Sequence, residues 1–409
     1  MPPPPPAQRR KIAVLSTSRA DYGHLYWVMK ELQQAEGVEL QTIAIGAHGS
    51  PRFGETWRRF EQDGFELDAK LECLIDSNTD VGMAKTIGMA TLSLSDALDR
   101  LRPDLLLLIA DRYEMLAPAA VALALRIPVA HIEGGEISEG AIDDAVRHAL
   151  TKMSHLHLVP TEQARRRVLA MGEESWRVHR VGAPSLDHLR RSELPAAGEL
   201  LPRLGFAADC APWVVAWHPV TLLRDPAAES NSLFAALKRA AAKRADPDAE
   251  PIVFCFPNAD AGREEIIAQT RAFCRQHAAA ELFINLEHRD YWAVLKTARL
   301  LIGNSSSGIM ESPALALPCV NIGDRQAGRE RAANLIDAPA SADAIEAAIA
   351  QALNPAFRAS LSGMRNPYGD GDAAARIAQL LREIDLGPVL LRKRALPLAA
   401  DGDYFIHEH

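Results

Sequence analysis

Several things are scarce in this chain, and each absence closes off a class of function. Aromatic side chains make up only 6% of the 409 residues, and there is no long lysine or arginine run. With 45 basic against 53 acidic side chains the formal charge is −8. That argues against a nucleic-acid binder and a lipid-surface binder. The five cysteines (Cys73, Cys210, Cys255, Cys274 and Cys319) are scattered, without a C-x-x-C pair or a histidine at zinc-finger spacing. A disulfide framework and a structural zinc site are therefore not expected, and burial as small apolar residues is. No apolar stretch reaches the ~20 residues of a membrane span. Met1 to Arg10 is a proline run with two arginines and has no signal-peptide character, so the expected location is the cytoplasm. A G-x-G-x-x-G fingerprint is missing too, which leaves no support for a bound dinucleotide.

What is present is globular: 48% hydrophobic and 24% charged residues, over a length suited to two domains. Short apolar runs recur at Lys11–Ser16, Leu40–Ile45, Asp104–Ala110, Pro128–Ile132 and His155–Val159. A second series covers Trp213–Trp217, Pro251–Phe256, Glu281–Asn285, Leu300–Gly303 and Pro318–Ile322. The runs are continuous rather than alternating, as strands buried on both faces of a parallel sheet are. Helical patterns separate them, for example Val81–Arg100, Pro118–Leu125, Asp143–Lys152 and Glu229–Lys243. The expected fold class is α/β, with two doubly wound Rossmann-like domains facing across a cleft. Residues 1–10 read as a tail, 11–190 as the first domain, 191–211 as a hinge, 212–385 as the second domain and 386–409 as a C-terminal tail.

In such sheets ligands bind beyond the carboxyl ends of the strands, so residues just after each run carry the functional reading. Arg19 follows the first run and opens a helix, where it could hold a phosphate. Asp111 ends Leu105–Ala110, either facing the cleft or capping the next helix. Glu133 ends the next run beside Gly134 and Gly135, and Asp143 and Asp144 open the helix after it. Three carboxylates around one sheet edge can have their pKa values pushed apart, one serving as acid and another as base. In the second half, His218 could donate a proton or bind phosphate, and Asn258 could bind a sugar nucleotide or cap the helix at Gly262. Gly303–Gly308 (G-N-S-S-S-G) reads as a phosphate cradle leading into a helix that ends near Ala316. It lacks the Gly-Lys-Ser/Thr of a P-loop. Glu311 could reach a ribose, and Arg325 and Arg329 could clamp a diphosphate.

Taken in order, S-R-A-D-Y-G, H-I-E-G-G-E, I-D-D-x-x-R-H, W-H-P-x-T, F-P-N-x-D and G-N-S-S-S-G resemble the hydrolysing UDP-N-acetylglucosamine 2-epimerases. Those enzymes make N-acetylmannosamine for sialic-acid biosynthesis, and relatives act on a bacillosamine derivative in legionaminic-acid pathways. The resemblance runs from about Lys11 to Leu381. It implies the two-domain fold shared with B-type glycosyltransferases, with the nucleotide mainly on the second domain. It also implies that Asp111, Glu133 and Asp143 are the catalytic carboxylates and that His218 is catalytic or phosphate-contacting. Arg19, Asn258, His288, Ser306, Ser307, Glu311 and Arg325 then match the nucleotide contacts. A nucleotide-sugar substrate, no cofactor, no metal and a homodimer or homotetramer go with it. Ser138–Ala141 is one residue longer than in the animal enzymes.

The chemistry explains why several acids are wanted. The C2 hydrogen of an N-acetylhexosamine is not adjacent to a carbonyl, so direct deprotonation is out of reach. Elimination remains: diphosphate leaves C1, a carboxylate takes the C2 proton, and water then adds to the glycal with a proton delivered from the opposite face. Arg19, His218 and the serine loop are the groups expected to stabilise the leaving diphosphate. UDP-N-acetylglucosamine is the first substrate expected. UDP-N,N'-diacetylbacillosamine or a GDP-linked sugar is the alternative, and an inverting glycosyltransferase or a sugar-nucleotide sensor are further ones.

Overall fold

The structure, a computed structural model, describes residues 9–225 and 227–397. The first sheet holds β1 (Arg10–Ser16), β2 (Val38–Ala44), β3 (Ala69–Lys70), β4 (Leu105–Ile109), β5 (Val129–Ile132), β6 (Leu156–Val159) and β7 (Val178–Arg180), in the order β3-β2-β1-β4-β5-β6-β7. The second holds β8 (Trp213–Ala216), β9 (Ile252–Cys255), β10 (Ala280–Phe283), β11 (Leu300–Gly303), β12 (Cys319–Ile322) and β13 (Leu335–Ala338), ordered β10-β9-β8-β11-β12-β13. Every pairing is parallel. The central strands show why. All five residues of β4, Leu105 to Ile109, are buried, and each such side chain contributes roughly 1.5–3 kcal/mol when removed from water.

The strand order reverses between β1 and β4 in one sheet and between β8 and β11 in the other. Crevices open at such switch points, and here the two face each other. The three strands without a forecast, β3, β7 and β13, lie at sheet edges. They are short and mix buried with exposed positions, so no continuous apolar run marks them.

Three of the expected boundaries differ. Arg10 already belongs to β1 and bonds the Leu381 carbonyl through its guanidinium at 2.6 Å. The segment 191–211 is not an open hinge, because it includes the helix Ala197–Arg203. The second domain does not run to 385: the helix Ala373–Glu383 returns to the first sheet and packs on the helix Arg19–Gln34, burying Ala374, Ile377 and Leu381 in that core. Its alanine-rich pattern encodes a helix but not which sheet it covers. Residues 386–397 are also tied down. The Arg177 guanidinium donates to the carbonyls of Val389, Leu390 and Arg392, and Lys393 pairs with Glu173 at 2.6 Å. Residues 1–8 and 398–409 of the expected tails lie outside the described residues.

Candidate active site

The S-R-A-D-Y-G motif divides its labour along the first turns of the helix Arg19–Gln34. Ser18 is the N-cap, its hydroxyl accepting from the Asp21 N–H at 3.5 Å. The Asp21 carboxylate turns back to accept from the Thr17 N–H at 3.0 Å and from the Thr17 hydroxyl. With the cap built by these two, Arg19, Gly23 and His24 face the gap between the sheets. A Cβ on Gly23 would crowd the His288 Cβ at 3.3 Å, so glycine lets the second domain approach. Arg19 reaches across to the Ile284 carbonyl at 3.0 Å.

All three candidate acids lie at this gap, and each is clasped by a basic side chain. Asp111 pairs with the buried Arg147 and lies 3.9 Å from Arg329. Glu133 contacts His24 Nδ1 at 3.0 Å. Asp143, at the first position of the helix Asp143–Met153, pairs with Arg325 of the second domain at 3.2 Å. Burial pushes the Asp143 carboxyl above the usual range, against the opposing pull of Arg325. Asp111 caps no helix, since the next helical turn, Tyr113–Met115, has no side-chain cap. The backbone is strained where two of these acids emerge: Ala110 has φ 58° and Glu133 φ 65°. Left-handed backbone at non-glycine residues costs of order 1–3 kcal/mol and concentrates at functional sites.

The opposite wall comes from the turns after β8, β9, β11 and β12. Asn304 clamps the His218 backbone from both sides, accepting from its N–H at 2.8 Å and donating to its carbonyl at 2.9 Å. The His218 Nδ1 accepts from the Asn258 N–H at 3.2 Å, which assigns the proton to Nε2. Burial, then the nearby Arg325, Arg112 and Arg19, hold this imidazole well below its ordinary pKa. His218 is therefore a neutral donor, offering an Nε2–H and no positive charge. Asn258 does not cap the following helix; Asn78 does, accepting from the Gly262 N–H at 3.0 Å. The Asn258 Oδ1 is buried without a partner among the described residues.

The serine turn also departs from its reading. Only Ser307–Met310 is α-helical, followed by a 3-10 turn, Ser312–Leu315, containing Pro313. Four residues give little macrodipole, so hydroxyls and single N–H groups are what the turn offers. Ser307 bonds Tyr291 Oη at 2.6 Å, and Ser306 lines the gap. The turn lies close to β8: on Gly303, at φ 141°, a Cβ would overlap the Ala216 carbonyl. His288 packs its ring against His188 and Tyr26, with Nε2 buried and without a partner among the described residues, and burial drives its pKa to about 2. Arg325 and Arg329 are engaged by the protein itself. Arg325 donates to the Asn304 carbonyl, Arg329 to the Ile137 carbonyl, both at 3.0 Å.

His24 had no place in the sequence reading, although it lies one helical turn past Ala20 and touches both Glu133 and Glu311. Its one signal was spacing, since positions 19, 20, 23 and 24 share a helix face. Arg147, and Arg112 with its partner Asp260 at 2.8 Å, were also missed as organisers of the site. Among the described residues, no group of three or more His, Cys, Asp or Glu side chains is arranged to hold a metal ion.

Two doubly wound domains with their switch points facing, lined by acids on one side and hydroxyl and imidazole donors on the other, define a glycosyltransferase-B-like architecture. The UDP-N-acetylglucosamine 2-epimerase from Neisseria meningitidis, solved bound to UDP-GlcNAc, has the same fold. It superposes with a TM-score of 0.76 at 18% identity, covering 91% of this chain and 99% of that one. The chain belongs to the UDP-N-acetylglucosamine 2-epimerase family, whose model matches residues 30–382. It is 37% identical over 331 residues to the GDP/UDP-N,N'-diacetylbacillosamine 2-epimerase (hydrolyzing) of Campylobacter jejuni, covering 80% of this chain and 84% of that protein. It is 34% identical to the UDP-N,N'-diacetylbacillosamine 2-epimerase (hydrolyzing) of Legionella pneumophila, covering 94% and 98%. No described helix is long and apolar enough to cross a membrane.

Proposed function

We propose that the protein is a hydrolysing 2-epimerase of a UDP-linked 2-acetamido sugar, releasing the free C2-inverted sugar and UDP. The observation that carries this reading is the trio Asp111, Glu133 and Asp143 at one cleft edge, each with its own basic partner. One face of the pyranose loses the C2 proton to a carboxylate while the C1–oxygen bond to UDP breaks, giving a glycal. Water then supplies a hydroxyl to C1 as a proton reaches C2 from the other face. Asp143, which burial tilts toward its protonated form, suits proton delivery. Asp111 and Glu133 are the candidates for removal. Arg19, His218 Nε2–H and the serine hydroxyls receive the departing diphosphate, with Asn258, His288, Glu311 and Arg325 on the nucleotide side.

Of the two sugars, the 2,4-diacetamido one is favoured, because relatives at 37% and 34% identity carry names of enzymes acting on it. UDP-N-acetylglucosamine is the second reading, supported by a Neisseria meningitidis UDP-N-acetylglucosamine 2-epimerase at 30% identity over 95% of this chain. Both substrates should be incubated separately in heavy water and followed by proton NMR. The expected products are UDP and a free C2-inverted sugar carrying deuterium at C2. An inverted sugar still attached to UDP would overturn the hydrolytic part, and two unchanged substrates would overturn the assignment.

A further inference from the structure

The helix Arg19–Gln34 carries His24 into the gap, where its imidazole meets two carboxylates of different origin. Nδ1 lies 3.0 Å from Glu133, at the end of β5 in the first sheet. Nε2 lies 3.3 Å from Glu311, beyond the serine turn of the second. The His24 side chain is 19% exposed, and those of Glu133 and Glu311 are 6% and 7% exposed. A neutral imidazole owns one N–H and one lone pair. It would serve one acid and turn a lone pair toward the other, whereas the imidazolium donates to both. Burial opposes that charge, yet the two carboxylates hold His24 well above its ordinary pKa. Glu311, although buried, is held below the usual range by the same contact. The other charged or titratable neighbours are Asp21, on the same helix, and His188, on the helix Asp187–Arg191. The His188 ring is pinned by the Gly23 carbonyl at 2.7 Å, and burial drives its pKa to about 4.

We propose that His24 is a positioning residue: an imidazolium that joins the carboxylate at the sugar end of the cleft to the one at the ribose end, so that the set of Glu133 depends on what Glu311 holds. The inference rests on the roles given above to Glu133 and Glu311. A carboxylate has about four lone-pair sites, so Glu311 can accept a ribose hydroxyl and His24 together. The nucleotide then tightens the same chain of hydrogen bonds that orients the acid acting on C2. Empty, the link is held by protein groups alone. Occupied, it reports the nucleotide to the sugar site.

Two measurements test this on the full chain. In protein labelled with 15N-histidine, with His24→Asn used for assignment, the His24 ring should show both nitrogens protonated at pH 7.5. Glu311→Gln should lower its titration by about one unit or more, and UDP should shift its resonances. A neutral ring at pH 7.5 overturns the proposal, and this readout does not depend on which substrate is turned over. In turnover, His24→Asn should lower kcat about 10- to 100-fold while the affinity for UDP changes less than about threefold. An unchanged kcat, or a loss confined to UDP affinity, overturns it. If the wild-type protein turns over neither sugar, the functional reading fails while the spectroscopic arm still decides the role of His24.

Discussion

The two walls of the cleft differ in what they can do near neutral pH. On the second-domain wall, His218 lies far below its ordinary pKa, His288 is driven to about 2, Tyr291 far above its ordinary value and Glu311 below the carboxylate range. Burial dominates each of the first three, and the His24 contact holds Glu311 down against burial. None of these groups changes charge between pH 6 and 8. On the first-domain wall the shifts run the other way. Asp143 is raised by burial and His24 is raised by its two carboxylates, while backbone strain at Ala110 and Glu133 fixes the strand ends from which the acids emerge. One wall presents constant charge and hydrogen bonds, which fits the nucleotide side of the proposed function. The other holds a carboxyl pushed toward its protonated form and an imidazole pushed toward its charged form, which fits the proton transfers of the proposed function.

That division is most easily broken at Asp111. Asp111→Asn keeps the shape but removes the charge that faces Arg147 and Arg329. Turnover should fall by about 10²- to 10⁴-fold, and calorimetric affinity for UDP should stay within several-fold of wild type. A large loss of UDP affinity with kcat preserved would place Asp111 in recognition and dissolve the contrast. Arg325 tests the seam between the walls, since it bonds Asn304 on one side and Asp143 on the other. Arg325→Met removes the strongest influence opposing burial at Asp143, so that carboxyl should rise further. The alkaline limb of the kcat profile, where a proton donor loses its proton, should then move up by about one pH unit. An unmoved limb would mean that Asp143 takes no part in the rate-limiting proton transfer.

The contrast was half legible in the sequence. Asp111, Glu133 and His218 could be singled out because each follows a run of buried apolar residues, and in a parallel sheet that position is the ligand end. Helix and strand bodies were equally plain wherever the runs were long, as in Leu105–Ile109. Partners were not legible. Glu133 and His24 are 109 positions apart, and Asp143 and Arg325 are 182 apart. Which base clasps which acid is decided by how two sheets meet, and local pattern carries no trace of that. His218 shows the same limit: its loop position was readable, but its neutrality comes from burial and from three arginines brought in by other segments. The return of the helix Ala373–Glu383 to the first sheet was hidden for the same reason, because its apolar face would suit either core.

That returning helix supplies the smallest and most specific effect. Its first N–H groups, from Ala373 and Ala374, donate to the buried Asp187 carboxylate at 2.9 and 2.8 Å, so a first-domain acid caps a helix that arrives from the second. Burial raises the Asp187 pKa to about 6, with the two backbone bonds pulling the other way. The unfolded value is about 3.9, so the folded state takes up a proton between those values. The stabilisation linked to that proton is complete below pH ~4 and is lost as the pH rises through 6. A shift of about two units corresponds to roughly 2–3 kcal/mol. Asp187→Asn cannot ionise and keeps one acceptor for the two N–H groups. Measured by urea unfolding, its destabilisation relative to wild type should be greatest at pH 4 and should shrink by roughly 2 kcal/mol by pH 7. A cost that stays constant across this range would show that folding leaves the Asp187 pKa at its unfolded value. The cap would then belong with the fixed charges of the nucleotide wall rather than with the titrating groups of the first domain.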